Sequence, residues 1–570
     1  MSIANPCRTA TLEIDMRNPG AMAIALLFVP QAAQAQVRPT IDAGTQIQQI
    51  PPPPAPEKRF PEIRVERPAL LPDDGPAGVS IRVAALQLTG QTIFPEAELV
   101  AASGFTPGGE FNLRQLRQVA ANISAYYNAR GYFLAQAYLP AQDINGGAVT
   151  IAVIEGRYGK LDLNNRTNLR DGVARNVLGG LDNGDIVATA PLERRLLLLS
   201  DIPGVVVRST LSPGEAVGTT NLTVDIDPAR RINGSIEADN GGNRFTGAYR
   251  FGGSLNLNNP TGHGDLLSVR ALASTSGLAY GRVAYQTLLG ISTIGVAYSH
   301  VRYELGREFK SLDADGKADV VSLFGSHPLI RSRRANLYAL GAVEAKFFED
   351  RLGAADTETH RRMKVLSLGL SGNHLDSFGG GGSNVYSIGT SLGDLDIRSA
   401  ADRALDRLTA RSNGGYGKLQ ASVAREQNVA GRLSVYGAAR GQLASKNLDS
   451  SEKMELGGPY AVRAYPEGEA YGDEGYLATA EARVLLPQFA LPGRLQLIGF
   501  VDVGAIRIAK NPWFTGPNVV HRSGVGAGVN WTAPNNFLAQ AYYAHKLGDR
   551  PSTLYDDGDG RFWFRVAKLF

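Results

Sequence analysis

From residue 230 to residue 570 the chain shows no helical periodicity. Short runs instead alternate apolar and polar residues, each bounded by Gly, Asn, Asp or Pro. Residues 249–257, 266–274, 279–288, 336–348, 384–392, 415–424 and 540–545 are examples. A period of two sends successive side chains to opposite faces of a strand. About sixteen such runs, one per ~21 residues, suit strands of ~10 residues joined by turns and loops. No apolar run reaches the ~18 residues of a membrane-spanning helix, which leaves spanning by strands open. In lipid such a sheet has to close, because every backbone polar group needs a partner. The expectation is a transmembrane antiparallel β-barrel of sixteen strands over 229–570.

The rest of the chain agrees with an exported protein. Residues 21–29 form a short apolar run, and Ala33-Gln34-Ala35 offers small residues for signal-peptidase cleavage, so 1–35 reads as a signal peptide. Glu13 and Asp15 are out of place in a basic leader, and Met16-Arg17 would begin a more ordinary one, so Met16 is a candidate start. The single cysteine, Cys7, precedes the cleavage point, which excludes a disulfide framework in the mature chain. A net charge of +4 gives no reason to expect nucleic acid. Residues 36–78 form a Pro-rich linker with the run 51–54, in which 42–50 has room for a short helix carrying Ile47 and Ile50 on one side. About twenty helical residues are needed to span a ~30 Å core, so these nine or so make a partial plug or none.

Between the linker and the barrel the pattern is strand, helix, helix, strand, strand, and it occurs twice. In residues 79–156, 81–88 is a strand, and Asn112 caps a helix in which Leu113, Leu116, Val119, Ala120, Ile123 and Tyr127 recur at helical spacing. Gly131 ends that helix, and strands 133–139 and 148–155 follow. In residues 157–228 the strands are 159–165, 205–210 and 221–227; 171–178 is a weak helix and 191–199 a better one. The fold class expected is therefore α+β followed by all-β.

One loop interrupts the barrel pattern. Residues 446–483, KNLDSSEKMELGGPYAVRAYPEGEAYGDEGYLATAEAR, are glycine-rich, charged and too long for a hairpin turn. Loops of this length are functional or disordered, and composition alone also allows an ordinary surface loop. In the strand that follows, Phe500, Asp502 and Gly504 share one face while Val501 and Val503 take the other. The apolar pair should meet lipid, which turns Asp502 into the lumen. Glu481 and Arg483 also share a face and should line the lumen, either beside the loop or as ordinary polar lining. Trp531, Tyr542, Tyr543 and Trp563 suit a membrane interface or core packing equally. At the C-terminus, GRFWFRVAKLF puts Phe562, Phe564, Val566 and Phe570 on one face, with Lys568 as the exception.

These stretches together resemble the two-partner secretion transporters of the outer membrane, the family that exports haemolysins and filamentous adhesins, within the outer-membrane assembly-factor superfamily. The resemblance runs from about residue 81 to the C-terminus. It is carried by Val462-Arg463-Ala464-Tyr465 in the loop, the FxDxG pattern at Phe500, Asp502 and Gly504, and GYFLAQAYLPAQDINGGAVTIAVIEG near residue 150. DNGGNRFTG at 239–247, His327-Pro328-Leu329-Ile330-Arg331-Ser332-Arg333 and the terminal Phe570 add to it. It implies that 79–156 and 157–228 are periplasmic POTRA domains, with Gly131, Tyr132, Pro140, Gln142, Asp143 and Gly147 at motif positions that act mostly as turn chemistry. It implies that loop 445–475 re-enters the lumen and that Arg463 pairs with Asp502. The family's Gly after the Arg is Ala464 here, which would strain the loop tip if that position needs left-handed backbone. The C-terminal strand resembles the signal read by barrel-assembly machinery, with Phe570 at its end.

The function implied is ATP-independent export of a large secreted exoprotein, whose N-terminal secretion domain the POTRA domains bind. Its surroundings would be outer-membrane lipid and periplasm, and the protein is expected to be a monomer. A barrel-assembly insertase is the alternative, though such proteins usually carry more POTRA units; a passive porin-like channel would lack those units. Enzyme readings find no support: GxxxxGK[ST], HExxH and CxxC are absent, no GxSxG elbow precedes a helix, and the seven His form no tight cluster. No catalytic residue, metal or cofactor is expected.

Overall fold

Sixteen consecutive antiparallel strands, from Ile232–Asp239 to Gly560–Leu569, form a closed barrel. The computed structural model describes residues 41–54, 61–65, 80–144, 146–487, 492–548, 552–554 and 558–570. The expected signal segment, with Cys7 and Met16, lies outside the described residues. Closure is made where Ser235–Asp239 pairs with Arg565–Leu569. Beyond that ladder the backbones of Gly234 and Phe570 exchange hydrogen bonds of 3.1 and 3.0 Å. A Cβ on Gly234 would lie 2.9 Å from the Phe570 ring, so the terminal aromatic closes over a residue that has no side chain. The strands bear out the alternation read from sequence: Leu266–Ser274 has the expected bounds, and others run longer, such as Thr357–Asp376.

Alternation sorts the faces as expected in one strand after another. In Arg494–Arg507, Val501 and Val503 are 42% and 39% exposed, whereas Phe500 and Asp502 are 3% and 1%. Two of the four aromatics do not face the membrane. Trp563 is buried on the lumen side, and Tyr542 turns inward to hydrogen-bond Asn530 and stack edge-on against Phe500. Only one position in two of a barrel strand can reach lipid, and these two fall on the other register. Lys568, the charge on the outer face, bends its ammonium to the carbonyl of Asn535, as long cationic side chains do at such surfaces.

Ahead of the barrel lie two α/β units. The first has a sheet in the order Ala85–Thr89, Ala148–Ile154, Gln136–Tyr138, covered by helices Glu96–Ser103 and Leu113–Ala129. Asn112 and Gln115 cap the longer helix reciprocally, and its buried stripe is Leu116, Val119, Ala120, Ile123 and Tyr127. Gly131, at φ 92°, reverses the chain, and Tyr132 packs edge-on against Phe94 and Tyr127. Gln142 acts as a surrogate strand residue: its amide donates to Thr150 O at 2.7 Å and accepts from Thr150 N at 2.8 Å. Pro140 precedes it, Gly147 takes φ 74°, and Asp143 stays exposed.

The second unit pairs Arg157–Asn165, Thr219–Pro228 and Val205–Pro213, with helices Asp171–Leu178 and Thr189–Ser200. The segment read as weakly helical is a full helix, because Ala174, Val177 and Leu178 bury one face. A fourth strand was not expected. Glu62–Val65, inside the stretch read as linker, pairs in parallel with Val205–Pro213. Four residues among prolines carry too short a pattern to show as a strand.

The second unit is bolted to the barrel. Arg331 holds Asp201 with both guanidinium edges at 2.7 and 2.8 Å, and Arg194 donates to the carbonyls of Pro328 and Leu329. This is the physical content of the 327–333 motif.

Glu155 ties the end of the first unit to its start. Burial pushes its carboxyl up, but hydrogen bonds from the Thr92 hydroxyl, the Thr92 and Ile93 amides and the Tyr127 hydroxyl outweigh that and hold it below its ordinary value of 4.5. A carboxyl lowered by folding adds stability above that ordinary value and loses it as pH falls through the folded value. Glu155→Gln should therefore lower the first unit's unfolding midpoint at pH 7, with a deficit that shrinks toward pH ~3. Calorimetry of the full chain in detergent at the two pH values measures this; equal deficits would show that the charge is irrelevant.

Candidate functional site

The loop between strands Leu433–Ala444 and Glu474–Leu485 folds into the lumen. Its two limbs pair as Met454–Glu455 with Tyr471–Gly472. Its tip is a tight turn in which Gly458 N donates to Tyr465 O at 3.0 Å and Tyr465 N to Val462 O at 3.0 Å. Gly458 takes φ 98°, an angle glycine adopts without strain. Val462, Ala464 and Tyr465 are fully buried, and the loop's apolar residues pack with Leu477, Ile498, Phe500 and Ile506 of the wall.

Arg463 is the centre of the tip. Its Nε and Nη2 donate to Asp502 Oδ2 and Oδ1 at 2.8 and 2.7 Å, and its own backbone amide adds a bond of 3.1 Å to Oδ2. Nη2 also reaches Thr479 Oγ1 at 2.9 Å, and Nη1 lies 2.8 Å from Glu481 Oε1. The guanidinium carbon sits 3.4 Å from the centroid of Phe500, and Trp563 Nε1 donates to the Arg463 carbonyl at 2.7 Å. A planar fork that satisfies two carboxylates while stacking on a ring is chemistry lysine cannot reproduce.

The expected lumen pair lies in the same network. Arg483 donates to Glu481 at 2.7 and 2.9 Å and to Glu426 at 3.0 Å, so charges alternate along the wall from Asp502 to Glu426. Glu481 therefore touches the clasp itself, and Arg483 orients it.

Glycines on the wall decide how close the loop comes. A Cβ on Gly504 would meet Leu477 at 2.4 Å and Leu456 of the loop at 2.7 Å. One on Gly524 would meet the Ala464 methyl at 2.5 Å. Ala464 is not among the residues with positive φ, so the strain foreseen at the tip does not arise. Its extra methyl faces a wall residue that has none.

Three further attachments went unforeseen. Arg361 binds Asp449, with Asp42 and Asp350 beside it. Lys346 and Lys418 enclose Glu452 at 2.7 and 2.6 Å, and Arg522 grips Glu469 at 2.6 and 2.7 Å. The signal available in sequence was only the charge density of the loop, since each partner lies tens of residues away on a wall strand.

The lumen also holds the N-terminal segment. Asp42 caps the helix Ala43–Gln48 and meets Arg361 at 3.1 Å; Gln49 donates to the Tyr471 hydroxyl. A Cβ on Gly44 would lie 2.7 Å from Ser450 Oγ. A short helix thus lies against the loop, as a plug of partial length. Between wall, loop and helix a cavity of ≈ 570 Å³ remains, lined among others by Lys346, Lys418, Arg440 and Glu467. Among the described residues, Glu349, Glu358 and His360 are close enough to share an ion, on other strands and largely exposed.

An enclosed clasp of this kind fixes the loop tip against the barrel wall. Removing Arg463 strands two buried carboxylates, a loss of ~3–5 kcal/mol. Arg463→Ala should thus free the loop while the barrel stays folded, seen as new protease cleavage within 445–475 and unchanged heat-modifiable migration on gels. Gly524→Val should do the same by crowding Ala464, and an intact loop in that variant would refute the close fit.

Comparison with known proteins places these features. The family model described as haemolysin secretion/activation protein ShlB/FhaC/HecB matches residues 218–531, and that of the POTRA domain, ShlB-type, matches 81–156. The heme/hemopexin transporter protein HuxB of Haemophilus influenzae is 29% identical over 471 residues, covering 81% of this chain and 82% of its own. Among solved structures, CdiB from Escherichia coli superposes with a TM-score of 0.70 at 21% identity, over 88% of this chain and 93% of that one. BamA from Haemophilus ducreyi gives 0.52 at 14%, over 86% and 100%; at such identities these two speak for the fold alone.

Proposed function

Because the chain belongs to the haemolysin secretion/activation (ShlB/FhaC/HecB) family, the outer-membrane transporters of two-partner secretion, we propose that it exports a large exoprotein partner through its barrel without ATP. Residues 79–156 and 157–228 act as POTRA domains that receive the unfolded partner in the periplasm. The barrel conducts it, and folding outside gives direction. The observation that carries this reading is the lumen itself: a closed barrel filled by a loop and a helix that are held to its wall largely through side chains. A passive solute channel has no use for a removable filling of that kind.

Arg463 with Asp502 forms the latch. Glu481 and Arg483 hold its geometry, and Val462 and Tyr465 seat the tip against Phe500 and Gly504. During passage the loop shifts as the clasp opens, and afterwards the bidentate geometry re-forms. Phe570, pairing with the first strand through Gly234, is the closing element during insertion by barrel-assembly machinery. The chain works as a monomer in outer-membrane lipid.

Co-expression with a candidate partner, scoring its appearance in the medium, tests the reading. Arg463→Ala and Asp502→Ala should each reduce export to background with normal amounts of barrel in the membrane. Export unchanged by both would take the loop out of the mechanism. Deleting 81–156 should stop export and leave channel conductance. Should that deletion instead deplete unrelated outer-membrane barrels, the insertase reading would replace this one.

A further inference from the structure

One helix of the barrel carries its amphipathic pattern the wrong way round. The second unit is joined to the barrel at Arg331, which marks the turn at 332–334 as part of the periplasmic rim. Strand Ala335–Leu352 crosses to the opposite rim, Thr357–Asp376 returns, and Gly382–Ile397 ends on the outer side. Helix Ala400–Leu408 follows it there. Ala401, Ala404, Leu405 and Leu408 recur at helical spacing, and all four are exposed, the two leucines at 62% and 79%. The polar face is the one turned to the protein. Asp406 is buried and accepts from Ser412 N, Ser412 Oγ and Asn413 N at 2.9, 2.7 and 3.1 Å. Arg403 Nε donates to the Ile397 carbonyl at 2.9 Å, and Ser399 caps the first turn. A helix on a protein surface in water turns its apolar stripe to the core. This one is fixed by its polar groups, with a stripe that no described residue covers.

The neighbouring wall shows what the stripe meets. Ile388 and Leu392 are exposed on the lipid-facing side, paired with the equally exposed Leu370 and Leu366 of the adjoining strand. Beyond Leu392 the same face turns charged, with Asp394 beside Lys364 and Asp396 beside Arg362. Arg403 of the helix lies 3.7 Å from Asp396, and Arg398 lies 2.7 Å from it, so the helix is tied to the lipid-facing side of the rim. The four strand residues from Leu392 to Asp396 cover ~13 Å, or ~10 Å of height at the ~40° tilt of barrel strands. That sets the helix at the headgroup layer. Arg407 flanks the apolar stripe and Arg411 follows it. Each donates Nε to a carbonyl four residues earlier, at 3.3 and 3.2 Å, and neither pairs with a carboxylate among the described residues. Exposed guanidinium groups beside exposed leucines are the composition of a helix that lies in a membrane interface. A guanidinium fork also matches a phosphate with two bonds.

We propose that helix Ala400–Leu408 is a lipid-binding foot: its leucines enter the outer leaflet, and Arg407 and Arg411 hold the phosphate groups of anionic lipid headgroups. The segment after the helix also receives the root of the inward loop. Lys446 Nζ donates to the Asn413 carbonyl at 2.8 Å and Asn447 Nδ2 to the Ala410 carbonyl at 2.6 Å. Lipid held there braces the rim from which the loop descends, whatever the barrel conducts.

The test uses the full chain with Cys7→Ser and Leu408→Cys, the new thiol carrying an environment-sensitive fluorophore. It is reconstituted into vesicles of phosphatidylcholine and phosphatidylglycerol in equal parts. The emission should shift to the blue and be quenched by lipid spin-labelled near the headgroup. The same fluorophore at Lys310→Cys, in the exposed outer turn Arg307–Leu312, should stay in water. Spin-labelled phosphatidylglycerol should quench position 408 at least roughly fivefold more than spin-labelled phosphatidylcholine at equal mole fraction, the share one arginine contributes near an anionic surface. Arg407→Ser with Arg411→Ser should abolish that preference and keep the blue shift, whereas Leu405→Glu should reverse the shift, both with unchanged heat-modifiable migration. Water-like emission at position 408 overturns the foot, and equal quenching by the two lipids overturns the phosphate contacts. A blue shift that appears only as the protein-to-lipid ratio rises would assign the stripe to a second copy, and one that needs an added exported partner would assign it to that partner; either result overturns the proposal.

Discussion

A backbone that crosses lipid as a strand has to find hydrogen-bond partners on both of its sides, and only a closed ring of strands provides them. Closure has a second consequence. Alternation sends half of every strand's side chains inward, so the wall of the pore is as much a product of the sequence as its lipid surface. Arg361, Lys346, Lys418, Arg463 and Arg522 all take part in lumen ion pairs. Left alone, the desolvated ones among them would oppose folding. The inward loop supplies counter-charges for the wall cations Arg361, Lys346, Lys418 and Arg522, and the wall carboxylates Asp502 and Glu481 in turn pair with Arg463 of the loop.

This reciprocity explains why the pore filling is held by paired charges as well as by the apolar contacts of its tip. An apolar plug would be held by area and would leave only by exposing it to water. A plug held by paired charges can exchange one set of partners for another. The clasp at Arg463 is the most specific of these attachments, because it combines two carboxylates, a hydroxyl, a ring face and an indole on its own carbonyl. The other attachments are plainer ion pairs spread along the loop.

The periplasmic side shows the opposite arrangement. Arg331 on Asp201 and Arg194 on the Pro328 and Leu329 carbonyls fix the second unit to the barrel rim. Beside that joint, the four-residue strand Glu62–Val65 completes the sheet of the second unit as its edge strand.

The strand alternation was legible because it is local: each period-two run declares its own faces, so Asp502 could be turned inward and Phe500 set beside it from six residues. The Arg463–Asp502 pair was legible through family likeness. Nothing in the spacing of residues 463 and 502 by itself calls for it. Trp563 was ambiguous, since an aromatic suits lipid and lumen alike and only the register of the closed sheet chooses. Arg361, Lys346, Arg522 and Glu426 could not be assigned, because each meets its partner through barrel closure. Ala464 needs no left-handed backbone, and room for its methyl comes from Gly524, sixty positions away. So the sequence by itself determined which segments of the barrel are strands and which face of each is apolar. Only the tertiary structure decided which lumen side chains meet, since closing the ring brings together residues that no local pattern connects.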